Sequence, residues 1–232
     1  MGIKVGCGTF AVARQRYFLM LPTIEIGSAF IQPPKPETAA NWRADAPRDF
    51  EFSLPASQII THQADSWGYA KLTTRIPERR RAFCGHFKES DEASRAWAAT
   101  RAAAAALKPR FIVFETPFTF YPDSNHLRDM YRFFKNAQRE GEVFVWHPRG
   151  SWEAKLVGKV CADLNLVRAY DPFEEPLEPP RGVRYLRLKG TGYRPEQLSA
   201  LRRIGEGGQA YAYFTHRMGW LEARKFSGGG QR

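Results

Sequence analysis

The chain is poor in cysteine. Cys7, Cys84 and Cys161 are the whole complement of its 232 residues. They are odd in number, far apart and never paired as CxxC, which excludes a disulfide framework and a zinc knuckle and implies free thiols in a reducing compartment. Long apolar runs are missing too: no window approaches the roughly 18 uncharged apolar residues of a membrane span. The opening "MGIKVGCGTF" has no basic head, apolar core and small-residue cleavage site, so the expected location is the cytoplasm, with no membrane partner. "GCGTF" and "GEGGQ" contain glycines but form neither GxGxxG nor a P-loop, and GxSxG and HExxH do not occur. Serine or cysteine nucleophilic catalysis is left without support, although Cys7 closes the first apolar run.

Positive charge, by contrast, is in excess. Lys and Arg number 35 against 24 Asp and Glu, a formal charge of +11. Such a field favours anionic partners, an anionic small molecule or nucleic acid, without choosing between them. The basic residues are dispersed apart from Arg79 to Arg81, a triplet that reads either as a solvated face or as a phosphate contact. Nothing in the sequence sets the oligomeric state.

Short apolar runs alternate with longer amphipathic or alanine-rich segments, the pattern of repeated βα units. Eight runs stand out: "IKVGC" (3–7), "TIEIG" (23–27), "FEFSL" (50–54), "FIVFE" (111–115), "VFVWH" (143–147), "LVRAY" (166–170), "YLRLK" (185–189) and "AYAYF" (210–214). Helices are expected in "PETAANWRADA", "DEASRAWAATRAAAAALK", "SNHLRDMYRFFKNAQREG", "WEAKLVGKVCADLN", "RPEQLSALRRIGEGG" and "RMGWLEARKF". Acidic first turns, Ser124 or Asn125 as a cap, and the Pro109 stop mark their ends. Eight strands with helices between most of them predict an α/β fold, a (β/α)8 TIM-barrel-like single domain over residues 1–226 with some helices short or missing; an open doubly wound sheet is the alternative. Residues 55–91 are too long for a plain connection and predict a lid-like excursion with short elements of its own. Residues 227–232 predict a flexible tail.

In a barrel, chemistry collects at the C-terminal strand ends, and the polar residues ending these runs are consistent with that. Glu25, Glu115, His147 and Asp171 are the candidate catalytic groups. Arg149, Arg187, Lys189, Tyr193, His216 and His62 are the candidate ligand contacts. Alternation in "YLRLK" places Tyr185, Arg187 and Lys189 on one face, and cations facing a barrel interior need carboxylate partners. One reading is a buried ion-pair network that fixes register. The other is a mouth that binds an anion through Arg149, Arg187 and Lys189 while a carboxylate or His147 moves a proton. A divalent metal ion is a further candidate cofactor, since Glu, His and Asp are suitable ligands, but no local spacing fixes the site. His62 also reads as a hydrogen-bonded structural histidine, and His86 and His126 as surface or capping residues. Tyr17, Trp67, Tyr69 and Tyr193 are candidate stacking surfaces for a base or sugar, although such residues are more often packing residues.

The ordered set "TIEIGSAFIQPPKPETAANWRADAPRDFEFSLPASQIITH", "WHPRGSW", "AYDPF", "YLRLKGTGY" and "YAYFTHRMGWLEARKF" resembles the YecE-like family, the domain of unknown function numbered seventy-two. The resemblance spans most of the chain. It implies a barrel like those of xylose isomerase and endonuclease IV, and it names no reaction, since the family has no established activity. Departures from the family pattern are informative. A lysine expected after the "F.F" strand falls at Pro55, a "QFPP" strand end becomes "FETP" with Glu115, a glutamate before the proline and arginine becomes His147, and the histidine of an "RLHG" strand becomes Lys189. The functional expectation is an anionic, phosphate-bearing or nucleic-acid ligand at the barrel mouth, with metal-assisted hydrolysis or phosphoesterase chemistry by analogy of fold. The alternative is a non-catalytic nucleic-acid-binding or scaffold protein that uses its basic surface.

Overall fold

The computed structural model describes residues 2–175, 182–216 and 218–228. All eight expected strands are present: β1 (Ile3–Cys7), β2 (Thr23–Glu25), β3 (Glu51–Pro55), β4 (Phe111–Glu115), β5 (Val143–His147), β6 (Val167–Tyr170), β7 (Arg184–Leu188) and β8 (Ala210–Phe214). Between them lie α1 (Arg14–Met20), α2 (Ser28–Ile31), α3 (Pro36–Asp45), α4 (Gln58–Thr61), α5 (Glu78–Arg81), α6 (Asp91–Leu107), α7 (Ser124–Asn136), α8 (Ala154–Leu164) and α9 (Pro195–Glu206), and α10 (Gly219–Gly228) follows β8. The strands pair in the order β1-β8-β7-β6-β5-β4-β3-β2, the order of a (β/α)8 barrel, and every register recorded is parallel. With β1 beside β2 at the two ends of this series, the sheet is a nearly closed barrel.

The sequence signals missed α1 and α2, which are seven and four residues long. Neither is long enough to display the periodicity that marks a helix. The cap of α7 also differs from expectation: Asp123, not Ser124 or Asn125, accepts the His126 backbone N–H, at 2.8 Å. Asp123 stands just before the helix, where its carboxylate reaches the third amide, whereas Ser124 and Asn125 already lie within the first turn. The excursion does hold elements of its own, α4, a 3₁₀ turn at Trp67–Lys71, and α5. Ser227 and Gly228 belong to α10, and the remainder of the expected tail, 229–232, lies outside the described residues. Among the described residues no helix is long and apolar enough to cross a membrane.

Two compact units make up the chain, Met1–Gly27 with Ala44–Ser53 and Ala169–Arg232, and Ser28–Arg43 with Leu54–Arg168. In the second, α6 opens on Ser90, whose hydroxyl accepts from Ala93, and closes on Lys108 in a left-handed conformation. Its alanines allow the helix to lie close to its neighbours. Trp97, Phe114, Phe133, Phe134 and Phe144 make several edge-to-face contacts at centroid separations between 4.8 and 5.8 Å, a geometry that adds to the stabilisation from burial alone, and Phe87 packs against Phe134 at a tilt.

In the first unit the core is polar where it matters most. Gly6 of β1 has no room for a side chain, because a Cβ there would stand 2.3 Å from the Thr23 carbonyl oxygen of β2. The Tyr17 hydroxyl accepts from the Cys7 backbone N–H at 3.1 Å and donates to the Thr23 carbonyl at 3.0 Å, while Gly27 N–H donates to the Gly8 carbonyl at 3.1 Å. Tyr17 is therefore no stacking surface: it is fully buried, and burial, followed by the neighbouring Cys7, holds its phenol well above the usual range. Replacing Tyr17 by Phe leaves a buried donor and acceptor without that bridge, and should lower unfolding free energy by about 1–3 kcal/mol. Urea titration checks this, and an unchanged midpoint would mean that other contacts hold β1 against β2.

Candidate functional site

The strand ends of the first unit carry a buried ionic cluster. Glu25 ends β2 and is 1% exposed. Its Oε2 accepts the Tyr185 hydroxyl at 2.6 Å and its Oε1 accepts Arg187 Nη2 at 2.9 Å. Tyr185 also shares a 2.5 Å hydrogen bond with Ser53 of β3 and lies 4.9 Å from Tyr213, ring to ring. Burial, then the Glu25 charge, raises the Tyr185 phenol well above its ordinary range, so it stays a neutral donor. The alternation expected in "YLRLK" is realised, with Tyr185 and Arg187 converging on one carboxylate.

Asp171, just past β6, is 2% exposed. It accepts Phe173 N–H on Oδ1 at 3.0 Å and Lys189 N–H on Oδ2 at 3.1 Å, so its carboxylate ties the exits of β6 and β7. Tyr193 packs between Phe173 and Phe214. His216 follows β8, and its Nδ1 accepts the Met218 N–H at 3.2 Å. Burial pulls its pKa down, opposed by Glu222.

The second unit assembles a different group. Glu115 and His147 end β4 and β5 and are register partners. Glu115 Oε2 lies 3.6 Å from His147 Nδ1, and Glu115 Oε1 lies 3.3 Å from Arg149 Nη1. His147 is 1% exposed, whereas the Arg149 side chain is 28% exposed and that of Glu115 22%. Arg149 sits over the ring of Phe118, its Cζ 4.6 Å from the centroid. Thr116 N–H donates to the His147 carbonyl at 3.1 Å and fixes the two strand exits together. A carboxylate flanked by an imidazole and a partly exposed guanidinium can move a proton and hold an anion.

His62 belongs to the same unit. Its Nδ1 is 2.8 Å from the Thr61 hydroxyl and its ring packs against Phe30, in keeping with the structural reading. His86 corrects expectation, since it is 5% exposed rather than a surface residue: its Nε2 lies 3.1 Å from the Thr119 hydroxyl and its ring abuts His126 and Phe120. Tyr69 is also buried, its hydroxyl donating to the His62 carbonyl at 2.7 Å, which removes it as a stacking surface; Trp67 is exposed as expected. Sequence reasoning did not single out Phe118, the exposed ring beneath Arg149. The "FTF" run contains it, but alternation alone gives no sign that Phe120 turns inward and Phe118 outward.

A family model described as protein of unknown function DUF72 matches residues 13–218. A DUF72 family protein from Enterococcus faecalis is similar in structure, with a TM-score of 0.68 at 14% identity, covering 98% of this chain and 96% of its own. One from Thermotoga maritima has a TM-score of 0.65 at 12% identity and covers 100% of both chains. The IolI protein, solved with a binding zinc atom, has a TM-score of 0.54 at 10% identity and covers 97% and 95%. At these identities the likeness concerns the fold. The search of curated proteins found no match. The donors here do not fit a zinc-type centre: among the described residues no three His, Cys, Asp or Glu side chains are grouped to hold a metal ion, and both Glu25 oxygens are engaged by Tyr185 and Arg187.

Two outcomes follow from burial. Glu25→Ala removes a fully buried carboxylate that holds Tyr185 and the 12% exposed Arg187 guanidinium, and should destabilise the fold by about 3–5 kcal/mol, against under ~1 kcal/mol for Arg149→Ala, whose pair is partly solvated; denaturant titration of the two variants measures the contrast. Burial, first among the causes, lowers both His62 and His86 to about 4 from an ordinary 6.5. For His62, Glu115 raises and Arg149 lowers the value further; for His86, His126, Lys88 and His62 lower it and Asp123 raises it. The unfolded chain therefore takes up these protons first. Stability from these groups is intact above about pH 6.5 and is withdrawn as the pH falls toward 4. Unfolding midpoints at pH 7.5, 5.5 and 4.5 should decline, with a slope reduced in the His62→Gln, His86→Gln double variant.

Proposed function

The chain belongs to the family described as protein of unknown function DUF72, and from that premise we propose that it binds a phosphate-bearing ligand at the β4 and β5 strand ends, with Arg149 as the anion contact and Glu115 with His147 as the proton-carrying pair. The observation that carries this reading is the contrast between the two clusters. Glu25 is 1% exposed and its partner Arg187 12%, as in a register-fixing ion pair. Arg149 keeps a quarter of its side chain in solvent and makes one 3.3 Å ion pair. An arginine fork needs more than one partner to be satisfied, and a phosphate offers oxygens in matching geometry.

A carboxylate 3.6 Å from an imidazole supports proton transfer to or from a ligand oxygen, the step phosphoester hydrolysis requires at its leaving group. No metal-assisted step is included, because the donor set does not supply one. Reading the basic triplet as a nucleic-acid contact has less support: Arg80 is held by Asp91 and Glu92, so part of its charge is already neutralised. The long-range field of +11 raises the local concentration of any phosphate ligand without setting specificity.

The test is titration of the purified protein with ribose 5-phosphate at low and moderate salt. Arg149→Ala should weaken binding roughly ten- to hundredfold, and Arg149→Lys should recover only part of it. Glu115→Gln should retain binding, and should abolish any phosphoester turnover the wild type displays. Binding that falls steeply with salt yet ignores Arg149→Ala would instead place the ligand on the general basic surface.

A further inference from the structure

We propose that the phosphate ligand also carries a planar ring, as a nucleoside monophosphate does, and that Phe118 is the surface on which this ring stacks. This rests on the reading of Arg149 as the anion contact and adds the ligand's second half.

Phe118 is 66% exposed, whereas Phe114 and Phe120 on either side of it are fully buried. A lone exposed aromatic is ordinary on a protein surface. Phe118 differs because the loop that carries it is held at nearly every step. Thr116 N–H is bonded to the His147 carbonyl and Phe120 N–H to the Pro117 carbonyl. The Thr116 hydroxyl accepts the Trp146 indole N–H at 3.2 Å, and the Phe120 carbonyl accepts the Trp152 indole N–H at 3.0 Å, with the Phe120 and Trp152 rings stacked at 5.8 Å. From the other side Gly150, at φ +90°, approaches closely enough that a Cβ there would lie 3.4 Å from the Phe118 carbonyl oxygen and 3.5 Å from its Cα and Cδ1. A side chain at that φ is strained, so glycine permits both the turn and the contact.

The exposed ring is therefore pre-organised, and little conformational freedom remains to be lost when something stacks on it. Its neighbour decides what that is. The Arg149 guanidinium lies over the ring, 4.6 Å from its centroid, and the ring is still 66% exposed, so one surface combines a cation with open aromatic area. A purely apolar partner would strand the cation, and a bare phosphate would leave the aromatic surface in water. A ligand with an aromatic base joined through a sugar to a phosphate satisfies both, because bases stack on aromatic side chains irrespective of their identity. Tyr121, 57% exposed three residues further on, extends the aromatic character of the same loop.

The experiment compares adenosine 5′-monophosphate, uridine 5′-monophosphate, ribose 5-phosphate and adenosine by calorimetry on the full chain. Both nucleotides should bind roughly tenfold or more tightly than ribose 5-phosphate. Phe118→Ala should erase that difference, and Phe118→Tyr should preserve it. Equal affinity of the nucleotides and ribose 5-phosphate for the wild type, or a difference that survives Phe118→Ala, overturns the stacking role and leaves the phosphate reading intact. Binding of adenosine that depends on Phe118, with no gain from the phosphate, upholds the stacking surface and overturns the reading on which Arg149 rests. No binding by any of the four overturns both.

Discussion

A single phenol hydroxyl holds the seam between the first and last members of the strand series. β1 and β2 approach so closely at Gly6 and Thr23 that no side chain fits between them, and the Tyr17 hydroxyl spans the gap from the Cys7 N–H to the Thr23 carbonyl. Buried backbone groups must be satisfied somewhere. The remaining strands answer this with ladders, whereas β1 and β2 answer it with a tyrosine from α1 and with the Gly27 to Gly8 bond just beyond. Thr23 shows how far the consequences reach. Its hydroxyl donates to the Glu51 carbonyl and meets the Tyr213 hydroxyl at 2.8 Å, so the seam is continuous with the polar interior of the first unit. Glu25 lies two residues along the strand that Tyr17 positions.

That continuity explains why one cluster of charges is buried and another is not. Glu25, Ser53, Tyr185 and Arg187 form a set in which hydroxyls and a guanidinium surround one carboxylate. Desolvation of a charge is tolerable only when its hydrogen-bonding positions are filled, and removing one partner costs more than the pair contributes. Such a set resists change of conformation. Glu115, His147 and Arg149 are built on the opposite principle: the imidazole is buried, the carboxylate and guanidinium are partly wet, and the pair distances are longer.

Most of the strand framework was legible because each strand is a short apolar run bounded by polar or turn-forming residues, and eight such runs in alternation with helical segments admit few topologies. Boundaries drifted by one or two residues, as at β2, where Gly27 was included although the ladder stops at Glu25. The pairing of Arg187 with Glu25 was legible in part, since alternation fixed the face of Arg187 and charge required a carboxylate. The partner itself was not, because it lies 162 residues away in sequence. Of the two readings open to Tyr17 and Tyr69, stacking or packing, both take the packing one; a tyrosine's pattern in sequence is the same whether its hydroxyl meets water or a backbone carbonyl. His86 escaped for a related reason. Its left-handed backbone, φ 55°, belongs to a turn that no local periodicity announces.

The departures from the family pattern become coherent at β4 and β5. The resemblance places a glutamate where this chain has His147, and a glutamine-containing strand end where it has Glu115. Because Glu115 and His147 are register partners on adjacent parallel strands, losing a carboxylate at one and gaining one at the other moves the negative charge sideways by a single strand. Arg149 keeps an acidic neighbour, at 3.3 Å, and the vacated position receives an imidazole close to that carboxylate. A shift of one strand preserves the electrostatic balance that a buried strand end demands, yet changes which groups face the guanidinium. On that pattern, reversing either residue alone, Glu115→Gln or His147→Glu, changes the charge beside Arg149 and should lower the urea unfolding midpoint more than reversing both.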